Sequence, residues 1–119
     1  MKYIIGIDQS TQGTKAILFD EEGAIVKRAD VPHRQIVNEQ GWVSHDPEEI
    51  YGNVLQSARQ VVEAAGIPKE QIQAVGIRNQ RETTLCWDQG GKHLAHAVVW
   101  QCSRAWHIAE RLQEHGWEL

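Results

Sequence analysis

An apolar run at the start of the chain breaks off abruptly, and that break constrains the fold more than any other feature. Tyr3-Ile4-Ile5-Gly6-Ile7 gives way to Asp8-Gln9-Ser10-Thr11-Gln12-Gly13-Thr14-Lys15, and a second apolar run, Ala16-Ile17-Leu18-Phe19, closes on Asp20. A short β-rich run ending in a polar, glycine-containing turn reads as a buried strand feeding a hairpin. Asp8 then stands where the first strand leaves the core, beside a turn rich in backbone N–H and hydroxyl donors. Such a turn can hold phosphate, and a carboxylate next to phosphate commonly signals a divalent cation. The same residues also suit a hairpin without a ligand. Ser, Thr, Gln and Gly are ordinary turn formers, and a strand-end Asp often bonds its own turn. On spacing alone both readings stay open. Gly13-Thr14-Lys15 is not a P-loop, because it lacks the Gly-Lys-Ser/Thr order and a strand follows it; a G-x-G-x-x-G for a dinucleotide is also missing.

A length of 119 residues suits one domain or a piece of one. The formal charge of -4 and the lack of a Lys/Arg block argue against a nucleic-acid surface, which needs cations to displace counterions. Lys2 followed by five largely apolar residues is too brief for a signal-peptide core, and no run approaches a membrane span. Cys86 and Cys102 lack C-x-x-C spacing and carry no zinc or redox signal. These features together predict a reduced, cytoplasmic setting.

Further along, Asp20-Glu21-Glu22-Gly23 predicts a tight turn, and Ala24 to Val31 alternates as an outer strand should. The opening is thus a three-stranded antiparallel meander, ended by Pro32. Residues 33–45 read as a long loop, with His45 a loop or hydrogen-bonding residue rather than a ligand. Asp46-Pro47-Glu48-Glu49 predicts a helix start, with Asp46 as cap, Pro47 in the first turn and Glu49 completing a capping box. Ile50, Val54, Leu55, Ala58, Val61, Val62 and Ala65 form its apolar stripe, and Gly66 and Pro68 stop it.

Ile72 to Ile77 is a second buried-strand pattern, placed to lie parallel to the first through the helical crossover. It delivers the polar cluster Arg78-Asn79-Gln80-Arg81-Glu82-Thr83-Thr84. Ligands of open α/β sheets bind at the carboxyl ends of parallel strands, so Asp8 and Arg81/Glu82 should open into one cleft. Adjacent strand residues point to opposite faces, so Arg81 and Glu82 can share a ligand only if the strand ends or bulges there. An exposed charge pair at a strand end is the plain alternative. Residues 83–100 predict a hairpin over the core that turns at Asp88-Gln89-Gly90-Gly91, with His93 and His96 solvated. A final helix begins near Ser103, with Ile108, Ala109 and Leu112 on one face and Gly116 near its end.

Three strands, a helix, a parallel strand and more helix open an α/β, ribonuclease-H-like (actin-like ATPase) fold. The elements that would cover the sheet beyond Ile72–Ile77 are missing, leaving a bare edge that predicts self-association, a homo-oligomer through that edge. The chain therefore reads as the N-terminal part of a first domain spanning 1–119 and left incomplete.

Four blocks carry a resemblance: Gly6-Ile7-Asp8-Gln9-Ser10-Thr11, Gly41-Trp42-Val43-Ser44-His45-Asp46-Pro47, Gly76-Ile77-Arg78-Asn79-Gln80-Arg81-Glu82-Thr83-Thr84 and Val99-Trp100-Gln101-Cys102-Ser103-Arg104. In this order they resemble the FGGY carbohydrate kinases, and the second and third are most similar to the glycerol kinases among them. The resemblance implies ATP- and Mg²⁺-dependent phosphorylation of a primary alcohol on a small polyol or sugar, between two actin-like domains. It assigns Asp8 to the metal and transferred phosphate, Thr11 and Lys15 to the phosphates, Arg81 and Glu82 to substrate hydroxyls, and Trp100 to the substrate's carbon skeleton. An indole at that place also suits a core aromatic, and the two roles are compatible. The family's general base and adenine-binding domain have no counterpart here, so the chain alone is expected to be inactive. Lys15 replaces a usual arginine and Ser10 a common glycine. These departures leave xylulose, ribulose or gluconate as alternative substrates, and a truncated, non-catalytic, self-associating module as the rival from another class.

Overall fold

The computed structural model describes residues 1–116. β1 (Tyr3–Gln9) and β2 (Gly13–Phe19) form the first hairpin, and β3 (Ile25–Pro32) extends it antiparallel. The turn into β3 is built as its residues require: the Asp20 carboxylate accepts from the Glu22 and Ala24 N–H groups, and Gly23 takes φ 81°. A β-carbon on Gly13 would lie 2.7 Å from the Val31 carbonyl oxygen and 3.0 Å from Pro32 Cα, so β2 and β3 meet there too closely for any side chain. Gly13→Ala is expected to cost between about 1 and 3 kcal/mol through overpacking. The denaturation midpoint of the chain measures this, and an unchanged midpoint would mean that the strands part freely at that end.

The stretch expected to be one long loop is in fact a small hairpin of β4 (Ile36–Val37) and β5 (Val43–His45). Asn38 closes it by accepting from the Gln40 and Trp42 N–H groups, with Gly41 at φ 79°. Strands of two and three residues are too short for an alternation pattern to show in sequence.

Helix α1 (Pro47–Ala65) starts on Asp46, whose carboxylate accepts from Glu48 N–H, and ends on Gly66 in the left-handed region. The expected capping box does not form. Glu49 instead accepts from the Arg34 backbone N–H at 2.5 Å and from its guanidinium at 2.8 Å, which pins the preceding loop to the helix. The buried stripe also differs from the apolar one. Asn53, Ser57 and Val61 are the buried residues, whereas Leu55 is 40% exposed. Asn53 and Ser57 are tolerated because each is bonded, the first to the Pro32 carbonyl and the second to that of Val54.

After a 3₁₀ turn (Lys69–Gln71), β6 (Ile72–Arg78) runs parallel to β1 and completes a four-stranded sheet of order β3-β2-β1-β6. This is the order and handing-over of strands expected from the sequence. Ile5 and Ile7 of β1, Ala16 and Leu18 of β2, and Val61 of α1 form the core. α1 packs over β1, β2 and β3 and leaves β6 uncovered, so this strand is exposed rather than buried as its apolar pattern predicts, with Val75 and Ile77 52% and 67% exposed.

Residues 83–100 do not form the continuous hairpin expected over the core. Isolated bridges join Thr84 to Val98 and Trp87 to His93, and β7 (Ala97–Val98) pairs with β5 to make a second, three-stranded sheet. Helix α2 (Trp106–Glu114) begins three residues after Ser103. The radius of gyration is 18.3 Å, against about 14 Å for a compact domain of this length. Its elements do not close on one another.

Candidate functional site

The carboxyl ends of the parallel pair β1 and β6 lie side by side, and a cleft of about 440 Å³ opens there. Asp8, Thr11, Arg81, Glu82 and Trp100 all line it. Lys15 does not. Although in register with Asp8 across the hairpin, it borders a separate hollow of about 200 Å³ with Gly13, Thr14 and Asp30.

Asp8 is carried to the cleft by strand alternation. Ile5, Ile7 and Gln9 face the helix side and are buried, which turns Asp8 to the other face. Its neighbour in β6 is Arg78, with Nη1 3.7 Å from Asp8 Oδ2. Arg78 is 75% exposed in its side chain, so this contact is worth at most about 1 kcal/mol. Sequence reasoning placed Arg78 in the polar cluster without a role; parallel register is what sets it against Asp8.

The β1–β2 turn is held shut by Ser10, whose N–H and hydroxyl both donate to the Gly13 carbonyl at 2.9 Å. Ser10 is thereby occupied. Thr11 is gripped at two points. Its hydroxyl accepts from Trp100 Nε1 at 2.8 Å, and its carbonyl accepts from Gln35 Nε2 at 2.8 Å and His33 Nε2 at 2.7 Å.

On the opposite wall β6 ends at Arg78, and Arg81 and Glu82 sit in the turn that follows. Glu82 has φ 63°, and is the one non-glycine residue among those described with positive φ. The left-handed conformation costs a side chain about 1–2 kcal/mol. It also answers the alternation problem, because consecutive side chains off a strand need not diverge. Trp100 follows Val99, which is 2% exposed, so buried backbone anchors an indole that is itself 56% exposed. The segment is fastened further by Arg104, which donates to Cys102 Sγ, the Val43 carbonyl and Ser44 Oγ, and lies 5.0 Å above the Trp42 ring.

Beneath the cleft sits His45, fully buried, with both ring nitrogens bonded: one to Gln80 Nε2 at 3.1 Å, the other to Gln35 Oε1 at 2.8 Å. Burial, aided by the nearby His33 and opposed by Glu49, lowers its pKa to about 4. His45 is therefore neutral at ordinary pH. It is a hydrogen-bonding residue, as expected, but in the interior rather than in a loop.

Among the described residues no group of three or more His, Cys, Asp or Glu side chains could cage a metal ion. Asp8 offers a lone carboxylate. That suits Mg²⁺, which commonly takes one or two carboxylates and completes its shell with water and substrate phosphate.

Residues 3–118 match the N-terminal domain of the FGGY family of carbohydrate kinases. The chain belongs to that family. It is 50% identical over 117 residues to glycerol kinase 1 of Thermotoga maritima, covering 98% of this chain and 24% of that protein. The chain thus spans about a quarter of the length of the curated relatives it matches. Among solved structures, the Plasmodium falciparum glycerol kinase with ADP superposes with a TM-score of 0.83 at 36% identity, over 96% of this chain and 23% of that one. The xylulose kinase from Lactobacillus acidophilus reaches a TM-score of 0.90 at 24% identity, over 98% and 23%. That second likeness speaks for the fold alone, the α/β actin-like architecture of FGGY kinases.

Proposed function

We propose that the chain is the N-terminal part of an ATP-dependent polyol kinase that phosphorylates a primary alcohol, with glycerol as the substrate. The observation that supports this best is the single cleft lined by Asp8, Thr11, Arg81, Glu82 and Trp100. A triol presents donors and acceptors along one side and C–H bonds along the other. Arg81 donates to hydroxyl oxygens, the Glu82 carboxylate accepts from hydroxyl hydrogens, and the exposed face of Trp100 covers the carbons. Its indole N–H, held by Thr11, fixes the ring's orientation.

Asp8 would hold Mg²⁺, which when bound neutralises charge on the transferring phosphoryl group. Arg78, loosely paired with Asp8, is free to turn to an arriving phosphate. Thr11 presents its hydroxyl on the phosphate side. Lys15, in its separate hollow, would meet nucleotide phosphate from the β2 side. A general base for the accepting hydroxyl is not among these residues, and phosphoryl transfer needs every part in place at once. The chain alone is expected to be inactive, and the longer protein that carries it to be the enzyme.

Glycerol is favoured by the glycerol kinase relatives, at 43–50% identity. A kinase acting on xylulose, ribulose or gluconate is the second reading, and Ser10 and Lys15 favour it. A phosphoryl-transfer assay of the longer protein across the four substrates decides between them. Turnover of glycerol is expected, and no turnover of any polyol or sugar would end the enzyme reading. A cytoplasmic location belongs to the same proposal; no helix among the described residues is long and apolar enough to cross a membrane.

The uncovered β6 edge, with Val75 and Ile77 exposed beside it, supports one more expectation. Freed of other covering elements, the chain should pair with a second copy through this edge. Sedimentation at increasing concentration should reveal a dimer, and a monomer throughout would refute the pairing.

A further inference from the structure

The two walls of the cleft come from turns 70 residues apart in sequence, and a closed circuit of side-chain hydrogen bonds joins them. From the Thr11 carbonyl it runs through Gln35 to His45 and on to Gln80. The Gln80 backbone N–H then approaches Gln9 Oε1 at 3.4 Å, and Gln9 Nε2 donates at 3.0 Å to the carbonyl of Ser10, the residue before Thr11.

The direction of every bond in the first half of this circuit is dictated from one end. The Thr11 carbonyl can only accept, so Gln35 must offer it the amide N–H. The Gln35 oxygen then faces His45, which must donate from Nε2. A neutral imidazole with its proton on Nε2 carries a lone pair on Nδ1, so Gln80 must donate to it. The other oxygen of this pair, Gln80 Oε1, is buried without a partner among the described residues. A second proton on His45 would place two donors face to face at Gln80, unless that amide turned over and offered this oxygen. His33 closes the arrangement: its ring meets that of His45 edge-on at 4.5 Å, and its Nε2 shares the Thr11 carbonyl.

We infer that His45 is a positioning residue: its buried neutral ring, protonated on Nε2, ties the Ser10–Thr11 turn to the Gln80–Glu82 turn and sets the spacing of the cleft walls. The inference rests on the proposed function only in taking those walls as the phosphate and substrate sides. The groups facing His45 are His33, from the segment after β3, Gln35 beside it, Gln80 from the turn after β6, and Glu49 from α1. Each of the four can be changed without touching His45 itself.

The test reads the circuit directly in the chain, by long-range proton–nitrogen NMR of its histidines. His45 should show a protonated Nε2 and a bare Nδ1. Gln80→Leu, which removes the donor at one end, should shift the Gln35 side-chain amide and the Thr11 backbone signals at the other end. Gln80→Glu should add a proton at His45 Nδ1 while Nε2 keeps its own, because a carboxylate only accepts and the Gln35 oxygen still requires a donor. A proton on Nδ1 in the unmodified chain, or Gln80→Leu shifts that stop at His45, would overturn the inference. In the longer protein, Gln80→Leu should lower kcat/KM between about tenfold and a hundredfold through misplaced walls, mainly by raising KM for the alcohol. Unchanged kinetics would also count against it. A longer protein with no kinase activity sinks the functional reading alone, since the NMR result stands or falls without turnover.

Discussion

Glu82→Gly is expected to raise the stability of the chain while cutting the activity of the longer enzyme. Relief of the left-handed backbone at Glu82 returns about 1–2 kcal/mol. The greater freedom of glycine in the unfolded chain takes back about half of that, for a net gain of up to about 1 kcal/mol. Loss of a carboxylate that accepts from a substrate hydroxyl removes between about 1.5 and 3 kcal/mol, a tenfold to hundredfold fall in kcat/KM. Glu82→Ala separates the two effects: it loses the same carboxylate but keeps a β-carbon in the strained conformation, so activity should fall with no gain in stability. Denaturant titration of the chain and steady-state kinetics of the longer protein measure both. Full activity in either variant would remove Glu82 from the substrate site.

Acid should weaken the chain in a window set by His45. Its folded pKa lies near 4, below the ordinary value of 6.5, so between these values the unfolded state binds the proton and the folded state does not. The contribution is complete above pH 6.5, falls as pH drops towards 4, and changes no further below that. Its full size is on the order of 3 kcal/mol. Glu49 and Asp30 act in a different window. The hydrogen bonds from Arg34 and from Arg28 respectively hold their pKa values below the ordinary 4.5 and 3.8, so their contributions are lost only in stronger acid. Urea denaturation midpoints between pH 7 and pH 4.5 isolate the histidine, and His45→Gln should flatten the slope. A slope that survives the substitution would assign it elsewhere.

The contrast between these residues shows what a sequence discloses. Asp8 and Arg81/Glu82 could be read because strand periodicity and parallel order bring both to the same sheet end, whatever the detail of packing. The meander, α1 and β6 were legible for the same reason: each is long enough for its period to show. Glu82's backbone was not legible, although the need for a strand break between Arg81 and Glu82 was. Asn53 and Ser57 are polar and so fall outside the apolar stripe, and only the Pro32 and Val54 carbonyls make their burial tolerable. The burial of His45 was not legible, although its hydrogen-bonding character was, because its partners Gln35 and Gln80 come from segments whose proximity depends on the second sheet. That sheet is made of strands of two or three residues, below the length at which any pattern speaks. Lys15 keeps its hairpin register with Asp8, yet the two line different hollows.

The account stands on one cleft holding an alcohol between Arg81, Glu82 and Trp100, with Asp8 across from it. A crystal structure of the longer protein with glycerol tests this most directly. Hydroxyls within hydrogen-bond reach of Arg81 and Glu82, with the carbons against the Trp100 ring, are what the account predicts. Glycerol bound elsewhere, with Arg81 and Glu82 facing only water, would contradict it.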